Sequence, residues 1–293
     1  MIGILKNIAS FFSNVWLSLL SLIKVMLLSG RVSIKKENRS KDLVILGNGP
    51  SLKTMLSDCL SKKGDYDFLC VNNFPNTEFY TSIQPAHFVI TSSEFWNNEE
   101  TIDQNKQIRY DIIDAYLDKT TWASTFHLPV EAKRKQSFIN RFKDHPCIKL
   151  SFYNKTPIEG LRFLSHVFIR TNKGMPRPHN VLIPSIILGI NMGYDAINLL
   201  GADHSWLTEL SVDSNNNALL SQKHFYKSAQ DEKGHMYQNG KTPRTLDQIL
   251  HKFMLTFKAY HVIADYAKGE NSKILNCTPG SFIDAFDRKS LFI

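Results

Sequence analysis

Short, continuous apolar runs alternate along the chain with longer segments whose apolar residues recur every three or four positions. Short runs bounded by polar residues or glycine are typical of buried strands, and they predict strands at residues 42–46, 67–71, 86–90, 121–126, 196–200 and 273–276. The longer segments predict helices at residues 51–61, 98–118, 130–145, 180–194 and 245–268. Strands that alternate with helices indicate an α/β fold. We therefore expect a Rossmann-like, mostly parallel sheet with helices on both faces.

The first 30 residues have a different pattern, because no charge lies between Lys6 and Lys24. On a helix, polar residues three or four positions apart form one stripe: Asn7, Ser10, Asn14, Ser18 and Ser21. The rest of the circumference is apolar: Phe11, Phe12, Val15, Trp16, Leu19, Leu20 and Ile23. This pattern predicts an amphipathic helix that lies in a membrane interface. A secretory signal, a membrane span and a helix packed on the protein's own core are the alternatives.

A basic linker follows the helix and separates it from the first predicted strand. Its cations are of the kind that binds anionic headgroups on the cytoplasmic leaflet: Arg31, Lys35, Lys36, Arg39 and Lys41. We expect residues 1–41 to associate with an anionic membrane surface, and residues 42–293 to form the catalytic domain. Residues 207–243 have little periodicity, and long segments of this kind are usually functional. They predict a lid at about 204–243. From residues 1–41 we expect the protein to be cytoplasmic and peripheral on the inner face of the cell membrane.

Net charge and residue composition limit the kinds of ligand and partner that we expect the protein to bind. The 293 residues carry a formal charge of +8, which favours anionic ligands. No nucleic-acid module is recognisable, so we expect no nucleic-acid partner. The four cysteines form no CxxC pair, which indicates neither a zinc site nor a disulfide framework. Whether the chain forms a homo-oligomer stays open.

A glycine turn directly after the first strand is the main candidate for ligand binding. Gly47, Asn48, Gly49, Pro50 and Ser51 follow the strand and precede a predicted helix. Such a turn at a helix N-terminus can cradle phosphate, although an ordinary βα turn also needs glycine. Other strands also deliver small polar residues at their carboxyl ends, where ligands bind in open α/β sheets: Asn72, Asn73, Thr91, Gly201, Asp203 and His204.

Four motifs follow one another much as in bacterial lipooligosaccharide sialyltransferases. They are Gly47-Asn48-Gly49-Pro50-Ser51-Leu52, Asn72-Asn73-Phe74, Met192-Gly193-Tyr194 and Leu200-Gly201-Ala202-Asp203. The same order resembles the family named after archaeal 6-hydroxymethylpterin diphosphokinase, which includes many surface-polysaccharide proteins. The resemblance implies a single Rossmann-like domain with a small lid, a cytidine-nucleotide sugar as donor, no metal, no other cofactor, and a lid histidine as general base.

The resemblance also implies roles for single residues. Asn48 would contact the donor phosphate or ribose, Asn72 the nucleotide, and Asn180 would lie at a helix N-terminus that faces the donor. Asp203 would close the pocket. Two positions depart from the pattern: Thr91 stands where the sialyltransferases have another asparagine, and the position of their lid histidine falls near Thr242.

Glycosyl transfer needs a base for the acceptor hydroxyl and stabilisation of the leaving phosphate. A neutral histidine suits the first task, and His224 is the preferred candidate, with His204 and His235 as alternatives. Lid tyrosines such as Tyr226, or cations such as Arg177, suit the second task. No Asp-x-Asp triplet follows Asp203, which favours metal-independent transfer to a glycan or glycolipid acceptor. No Gly-x-Ser-x-Gly elbow indicates a serine hydrolase.

Two other functions fit the same motifs. An ATP-dependent pyrophosphokinase of the hydroxymethylpterin type shares the motif order, but a membrane-binding N-terminus has no evident use in it. A catalytically inactive nucleotide-binding scaffold would explain the departures at Thr91 and Thr242.

Overall fold

An eight-stranded, fully parallel sheet forms the centre of the protein. The structure is a computed structural model that describes residues 2–36, 39–97, 103–221, 224–225, 234–238 and 242–291. The sheet strands are β1 (Asp42–Leu46), β2 (Tyr66–Val71), β3 (His87–Val89), β4 (Ser124–Pro129), β5 (Ile148–Tyr153), β6 (Ala196–Leu200), β12 (Lys273–Asn276) and β13 (Asp287–Arg288). The Rossmann-like α/β fold predicted from the sequence is confirmed.

The strand order creates a switch point in the middle of the sheet. The order is β13-β12-β6-β1-β2-β3-β4-β5, and each neighbouring pair is parallel. The chain adds strands on one side of β1 as far as β5 and then crosses to β6 on the other side. In open parallel sheets, ligands bind at the carboxyl ends of the strands where the order reverses. Here that point lies between β1 and β6.

Helices cover both faces of the sheet. The helices are α1 (Ile2–Leu28), α2 (Leu52–Ser61), α3 (Tyr80–Ile83), α4 (Asp103–Lys119), α5 (Gln136–Asn140), α6 (Arg162–Arg170), α7 (Leu182–Met192) and α8 (Leu246–Gly269). Apolar residues of α6, α7 and α8 pack against one face, and those of α2, α3, α4 and α5 pack against the other. All residues of α7 are buried, which agrees with its apolar sequence.

One segment differs from the sequence-based prediction, and another is revealed by the structure alone. Residues 130–145 do not form one helix, because a 3₁₀ helix at Val130–Arg134 is separated from the short α5. Residues 146–178, which show no clear pattern, contain β5 and α6. β5 is an edge strand: its first and last residues are buried, Lys149 is exposed, and the other three are partly buried, so it forms no continuous apolar run.

The segment predicted to be a lid contains short strands that lie outside the main sheet. β7 (Leu210–Val212), β8 (Ala218–Leu220) and β9 (Gly234–His235) form an antiparallel sheet. β10 (Tyr237–Gln238) pairs with β11 (Thr242–Pro243). Buried residues of β8 pack on Ile249 and Phe253 of α8, so this small sheet stands against α8 beside the switch point.

The polar stripe of α1 contacts the protein body, and its apolar side faces outward. The Ser18 hydroxyl accepts the N–H of Leu161 at 2.7 Å, and the Ser21 hydroxyl donates to the Glu159 carbonyl at 2.8 Å. Gly160 permits the close approach, since a Cβ there would lie 2.5 Å from the Ser18 nitrogen. Among the side chains described for this helix, Val25 alone joins the hydrophobic core.

The exposed side of α1 carries large apolar residues: Ile8, Phe11, Phe12, Trp16, Leu19, Leu22, Ile23, Met26, Leu27 and Leu28. A helix packed by its apolar face on the protein's own core would show the reverse arrangement. Within the described part of the chain, residues 7–28 also form the one helix that is long and apolar enough to cross a membrane. The geometry leaves this apolar surface uncovered by the described part of the protein.

Candidate functional site

A cleft opens at the switch point, between the loops that follow β1 and β6. Its volume is about 270 Å³, and the first loop (Gly47–Pro50) and the second (Gly201–Trp206) line one side. We call this side the glycine-loop wall. Ten of the residues predicted for the site line this cleft: Gly47, Asn48, Gly49, Pro50, Asn72, Asn180, Gly201, Asp203, His204 and His224.

The glycines allow the two loops to pack backbone against backbone. Gly47 donates its N–H to the Leu200 carbonyl at 2.7 Å, and Gly49 donates to the Gly201 carbonyl at 2.9 Å. A Cβ at Gly47 would lie 2.5 Å from the Gly201 oxygen, and one at Gly201, where φ is +63°, would overlap the Gly47 oxygen. The glycine pattern is therefore explained by contact between the loops.

The N-terminus of α2 receives an anion from the protein itself. Asp203 accepts the Ser51 backbone N–H at 3.2 Å and the Ser51 hydroxyl at 2.9 Å. A Cβ at Gly49 would overlap the Asp203 carboxylate. This arrangement differs from the expected phosphate cradle, because the carboxylate occupies the place where the helix dipole favours an anion. Burial raises the pKa of Asp203, and its hydrogen bonds from Ser51 oppose that shift.

Asn48 offers the cleft a hydrogen-bond acceptor. Its Nδ2 donates to the Val71 carbonyl at 3.0 Å, and its buried Oδ1 has no hydrogen-bond partner among the described residues. Unsatisfied buried polar atoms are rare and call for an explanation such as a ligand. An amide oxygen accepts from a hydroxyl or an amine, so Asn48 is suited to a ribose or a base better than to a phosphate.

Both polar atoms of the Asn180 side chain form hydrogen bonds within the protein. Its Oδ1 accepts the N–H groups of Leu182 and Ile183 and so caps α7. Its Nδ2 donates to Tyr260 Oη at 2.7 Å and also lies 3.1 Å from His204 Nε2. Asn180 does lie at a helix N-terminus beside the cleft, as predicted, but its side chain holds that helix end in place.

His204 is buried in the same network. Tyr260 Oη lies 2.6 Å from His204 Nε2, and the imidazole packs on Trp206 with ring centroids 4.1 Å apart. Burial lowers the pKa of His204 to about 3, so it is neutral at physiological pH. Because Nε2 is engaged by Tyr260, the geometry indicates a positioning role for His204.

A second set of lining residues carries basic side chains, and we call it the basic wall. It consists of His179, Lys252 and Arg244. His179 and Lys252 also line a second, contiguous half of the cleft, of about 670 Å³, together with Arg134, Lys155 and Glu131. The two halves together have the size of ordinary small-molecule sites, about 300–1,000 Å³. The second half, where Arg134, Lys155, Arg244 and Lys252 outnumber Glu131, is suited to an anionic ligand. The first half carries Asp203 and Glu209 beside Lys252.

His179 lies where the two halves of the cleft meet. Its Nε2 is buried and has no hydrogen-bond partner among the described residues. Burial lowers the pKa of His179 to about 4, and the charges of Lys252, Arg177 and Arg244 add to this effect. At neutral pH His179 is therefore an uncharged imidazole that can accept a proton.

His224 enters the cleft from the predicted lid. Its Nδ1 lies 3.3 Å from the Asn48 carbonyl oxygen. If Nδ1 donates to that carbonyl, the neutral ring carries its lone pair on Nε2. His235 lies on β9 and is not part of the cleft lining. Tyr226 lies outside the described residues.

The other predicted binding residues divide between the two halves of the cleft and the surrounding structure. Asn72 lines both halves, and Thr91 lines the second half. The Thr91 hydroxyl also lies 3.0 Å from Tyr153 Oη. Asn73 precedes the 3₁₀ helix at Phe74–Asn76, and neither Asn73 nor Ser51 lines the cleft.

Sequence reasoning missed the residues of the basic wall. Lys252 lies on α8 among the buried positions Ile249, Phe253 and Thr256. A single lysine on the buried face of a helix was the signal that could have identified it. His179 had no comparable signal, because its position at the cleft depends on the loop that precedes α7. Arg177, the suggested cation, contacts Glu159 and is not part of the cleft lining.

In the described part of the chain, no group of three or more His, Cys, Asp or Glu residues is arranged to hold a metal ion. The His87 imidazole, interpreted from the sequence as a core residue, is buried and bonded at both ring nitrogens.

Comparison with known proteins identifies no family. No protein-family model matches the sequence, and no curated protein matches it. Among solved structures, the chain is similar to a MAf glycosyltransferase from Magnetospirillum magneticum AMB-1, with 12% sequence identity and a TM-score of 0.48. The match covers 96% of this chain and 38% of the other chain. The chain therefore spans less than two fifths of that protein's length.

Proposed function

We propose that the protein is a membrane-associated glycosyltransferase that moves a sugar from a nucleotide-sugar donor to a lipid-linked or surface glycan. The observation that carries this proposal is the two-part cleft at the switch point. One half presents the acceptor atom of Asn48, and the other is basic and extends toward the end of α1. A transferase needs two adjacent binding sites with a base between them, and the two adjoining halves, both lined by His179, support this proposal.

In this proposal the donor occupies the half beside the glycine-loop wall. Asn48 Oδ1 accepts a hydrogen bond from the ribose or the base, and Asn72 contacts the nucleotide from the end of β2. Lys252 faces the leaving phosphate, since it is the cation that lines both halves. Positive charge placed where negative charge develops stabilises the transition state. The preference for a cytidine nucleotide rests on the sialyltransferase-like motifs.

The acceptor occupies the second half of the cleft. Arg134, Lys155 and Arg244 give this half its positive charge, and Leu28, the last residue of α1, lies at its edge. An apolar helix that ends beside a basic cleft would bring a membrane surface to the acceptor site. This placement supports an anionic, lipid-linked acceptor.

We assign the general base to His179 and keep the predicted His224 as the second candidate. The base must reach the acceptor hydroxyl as it attacks the donor sugar, and His179 lines both halves of the cleft. His224 lines the donor half alone among the described residues. The hydroxyl proton moves to His179 Nε2 while the bond from the sugar to the leaving phosphate breaks.

Release of CMP from CMP-sugars by purified full-length protein tests this proposal. His179→Gln should lower kcat by about 10²–10⁴-fold, the usual contribution of a general base. His224→Gln should have a smaller effect, and His261→Gln, an exposed histidine on α8, should have none. Full activity of His179→Gln with inactive His224→Gln would return the base role to His224. The absence of sugar transfer from every CMP-, UDP- and GDP-sugar would reject the transferase.

Membrane association is the second part of the proposal. The polar stripe of α1 is bonded to the body and its apolar side is exposed. Basic residues of the following linker would meet anionic headgroups, and each is worth about 1 kcal/mol near such a surface. We place the protein on the inner face of the cell membrane, as a peripheral protein.

Vesicle flotation measures this association. The full chain should float with vesicles that contain phosphatidylglycerol, and the double variant Phe12→Asp/Trp16→Asp should stay at the bottom of the gradient. Met254→Asp, which alters another exposed apolar residue, on α8, should float like the unmodified protein. Flotation of the Phe12→Asp/Trp16→Asp variant would show that α1 is not the anchor.

A further inference from the structure

A second cavity lies away from the cleft, on the sheet face over β3, β4 and β5. Its volume is about 260 Å³, and it shares no lining residue with either half of the cleft. The linker after α1 crosses this face: Gly30 is hydrogen-bonded to Asn154 after β5, and Arg39 packs on the Tyr194 ring near the start of β6. We call residues 29–36 and 39–41 the strap and this cavity the strap pocket.

The strap pocket is strongly basic. Cations come from the strap and from the body beneath it: Arg31, Lys35, Arg39, Lys133 and Lys149. Among the described residues that line the pocket there is no Asp or Glu. A pocket with this lining is suited to an anionic ligand.

A buried imidazole adds a specific feature. His127 is 2% exposed and lines the pocket, and its Nδ1 has no hydrogen-bond partner among the described residues. A buried polar atom without a partner costs about 1–3 kcal/mol. A ligand in the pocket would provide the missing partner.

The chain of hydrogen bonds that involves His127 determines whether that partner must be a donor or an acceptor. Tyr194 Oη donates to Asp67 at 2.8 Å, so it accepts from His87 Nε2 at 3.0 Å. His87 Nδ1 then accepts from His127 Nε2 at 3.1 Å. Because a neutral imidazole has one N–H, His127 presents a lone pair at Nδ1. The pocket therefore combines several cations with one hydrogen-bond acceptor.

We propose that the strap pocket is a second ligand site, separate from the cleft, for a phosphate monoester that carries a hydrogen-bond-donating hydroxyl. The cations bind the phosphate oxygens. A P–OH group, or a neighbouring hydroxyl of the ligand, donates to His127 Nδ1. The same chemistry occurs in soluble sugar phosphates and in the headgroup of phosphatidate. This site does not depend on the proposed transferase function.

Calorimetric titration of the full chain tests the site, with inorganic phosphate, glycerol 3-phosphate and sulfate as probes. Phosphate should bind at least about tenfold more tightly than sulfate, which has no proton to donate at neutral pH. Lys149→Ala should weaken phosphate binding about tenfold, the usual effect of removing a charged hydrogen bond. Lys143→Ala, an exposed lysine outside the pocket, should bind as the unmodified protein does. Equal binding of sulfate and phosphate, unchanged by Lys149→Ala, would indicate an adventitious ion only and overturn the proposal.

A separate variant tests the role of His127 Nδ1 as the buried acceptor. His127→Phe should remove the preference for phosphate over sulfate and leave the release of CMP from CMP-sugars unchanged. If this variant does not fold, the Lys149→Ala and Lys143→Ala pair still decides the proposal.

Vesicle flotation decides whether the ligand is a lipid headgroup or a soluble molecule. The vesicles consist of phosphatidylcholine, either alone or mixed with phosphatidate. Binding that depends on both phosphatidate and Lys149 identifies a headgroup. Competition by glycerol 3-phosphate with no such vesicle dependence identifies a soluble ligand. Binding to neither source would overturn the proposal.

Discussion

The two walls of the cleft use their polar groups in opposite ways. On the glycine-loop wall, Asp203 bonds to Ser51 and the glycine backbones bond to each other, so most polar atoms already have partners. On the basic wall, His179 presents a buried nitrogen with no partner in the described part of the chain, and Lys252 faces both halves of the cleft. The first wall gives the site its shape, and the second is suited to chemistry.

This difference explains why motif residues and reactive residues do not coincide. A glycine motif is visible in sequence because two loops must approach closely. A reactive side chain is a single residue whose position depends on distant segments. Asn48 is the exception on the glycine-loop wall, since its Oδ1 still needs a hydrogen-bond donor. Variants on each wall should therefore separate effects on stability from effects on turnover.

After His179→Gln, the largest expected effect is also on turnover, from Lys252→Met. Removing one group that stabilises developing charge lowers kcat by about 10²–10³-fold. Burial lowers the pKa of Lys252, with Arg244 adding to the shift, so the folded protein should keep its Tm when methionine replaces this lysine. Steady-state kinetics and a thermal melt measure the two effects. Lys258→Met, an exposed position on the same helix, is the control, and an equal loss there would assign the effect to α8 as a whole.

Gly201→Ala should give the largest effect on stability. A Cβ at this position would overlap the Gly47 carbonyl, and the backbone has φ of +63°. Overpacking of this kind destabilises by about 1–3 kcal/mol, and 1 kcal/mol shifts the Tm of a large domain by about 2–4 °C. We expect a Tm that falls by several degrees, measured by calorimetry. Gly64→Ala has open space around it and should leave the Tm unchanged. Equal melting of both variants would contradict the account of the loops.

Asn72→Gly should have a smaller effect, confined to binding. Asn72 lines both halves of the cleft at φ of +49°, a conformation that glycine tolerates. The loss of one neutral hydrogen bond, about 1 kcal/mol, should raise the Kd for nucleotide about fivefold. Its neighbour Asn73 does not line the cleft, so Asn73→Ala should bind normally in the same titration. Similar affinity of the two variants would remove Asn72 from the donor site.

The pH profile tests His179 as the general base. The pKa of His179 lies at about 4 because of burial first and then the charges of Lys252, Arg177 and Arg244. As a base it stays deprotonated until the pH falls through that value, so the acid limb of kcat/KM should lie near pH 4. A limb near 6.5, the ordinary value for histidine, would indicate an unshifted base.

The lowered pKa of His179 also affects the stability of the folded protein. Because the folded pKa of His179 lies below its unfolded value of about 6.5, protonation favours the unfolded state. Stability from this group is complete above pH 6.5 and is lost as the pH falls toward 4. His179→Gln should remove that part of the acid destabilisation, measured by denaturant unfolding at each pH.

The sequence predicted the centre of the fold well and its edge poorly. The strands on either side of the switch point, β1 and β6, are continuous apolar runs because both of their faces are covered. β5 has exposed and partly buried side chains because it is an edge strand, so its pattern is weak. Residues 130–145 have helical composition, yet the helix breaks at Lys135.

Prediction of the site was limited by contacts between distant segments. The predicted residues that line the two halves of the cleft, eleven with Thr91, follow strand ends, begin a helix or lie in the lid, where sequence pattern has some power. The partnership of Asp203 with Ser51 joins residues 152 positions apart, and no local pattern indicates it. The same is true of the cavity beneath the strap, which combines three separate parts of the chain.

The central claim is that the switch-point cleft binds a nucleotide and positions it for sugar transfer. Calorimetric titration of the full chain with CMP, UDP, GDP and ATP, each with and without Mg²⁺, tests it most directly, with Asn48→Ala as the site variant. The account predicts that CMP binds without Mg²⁺ and that Asn48→Ala weakens this binding. Binding of ATP alone, dependent on Mg²⁺, would support the pyrophosphokinase instead, and binding of no nucleotide would contradict the claim.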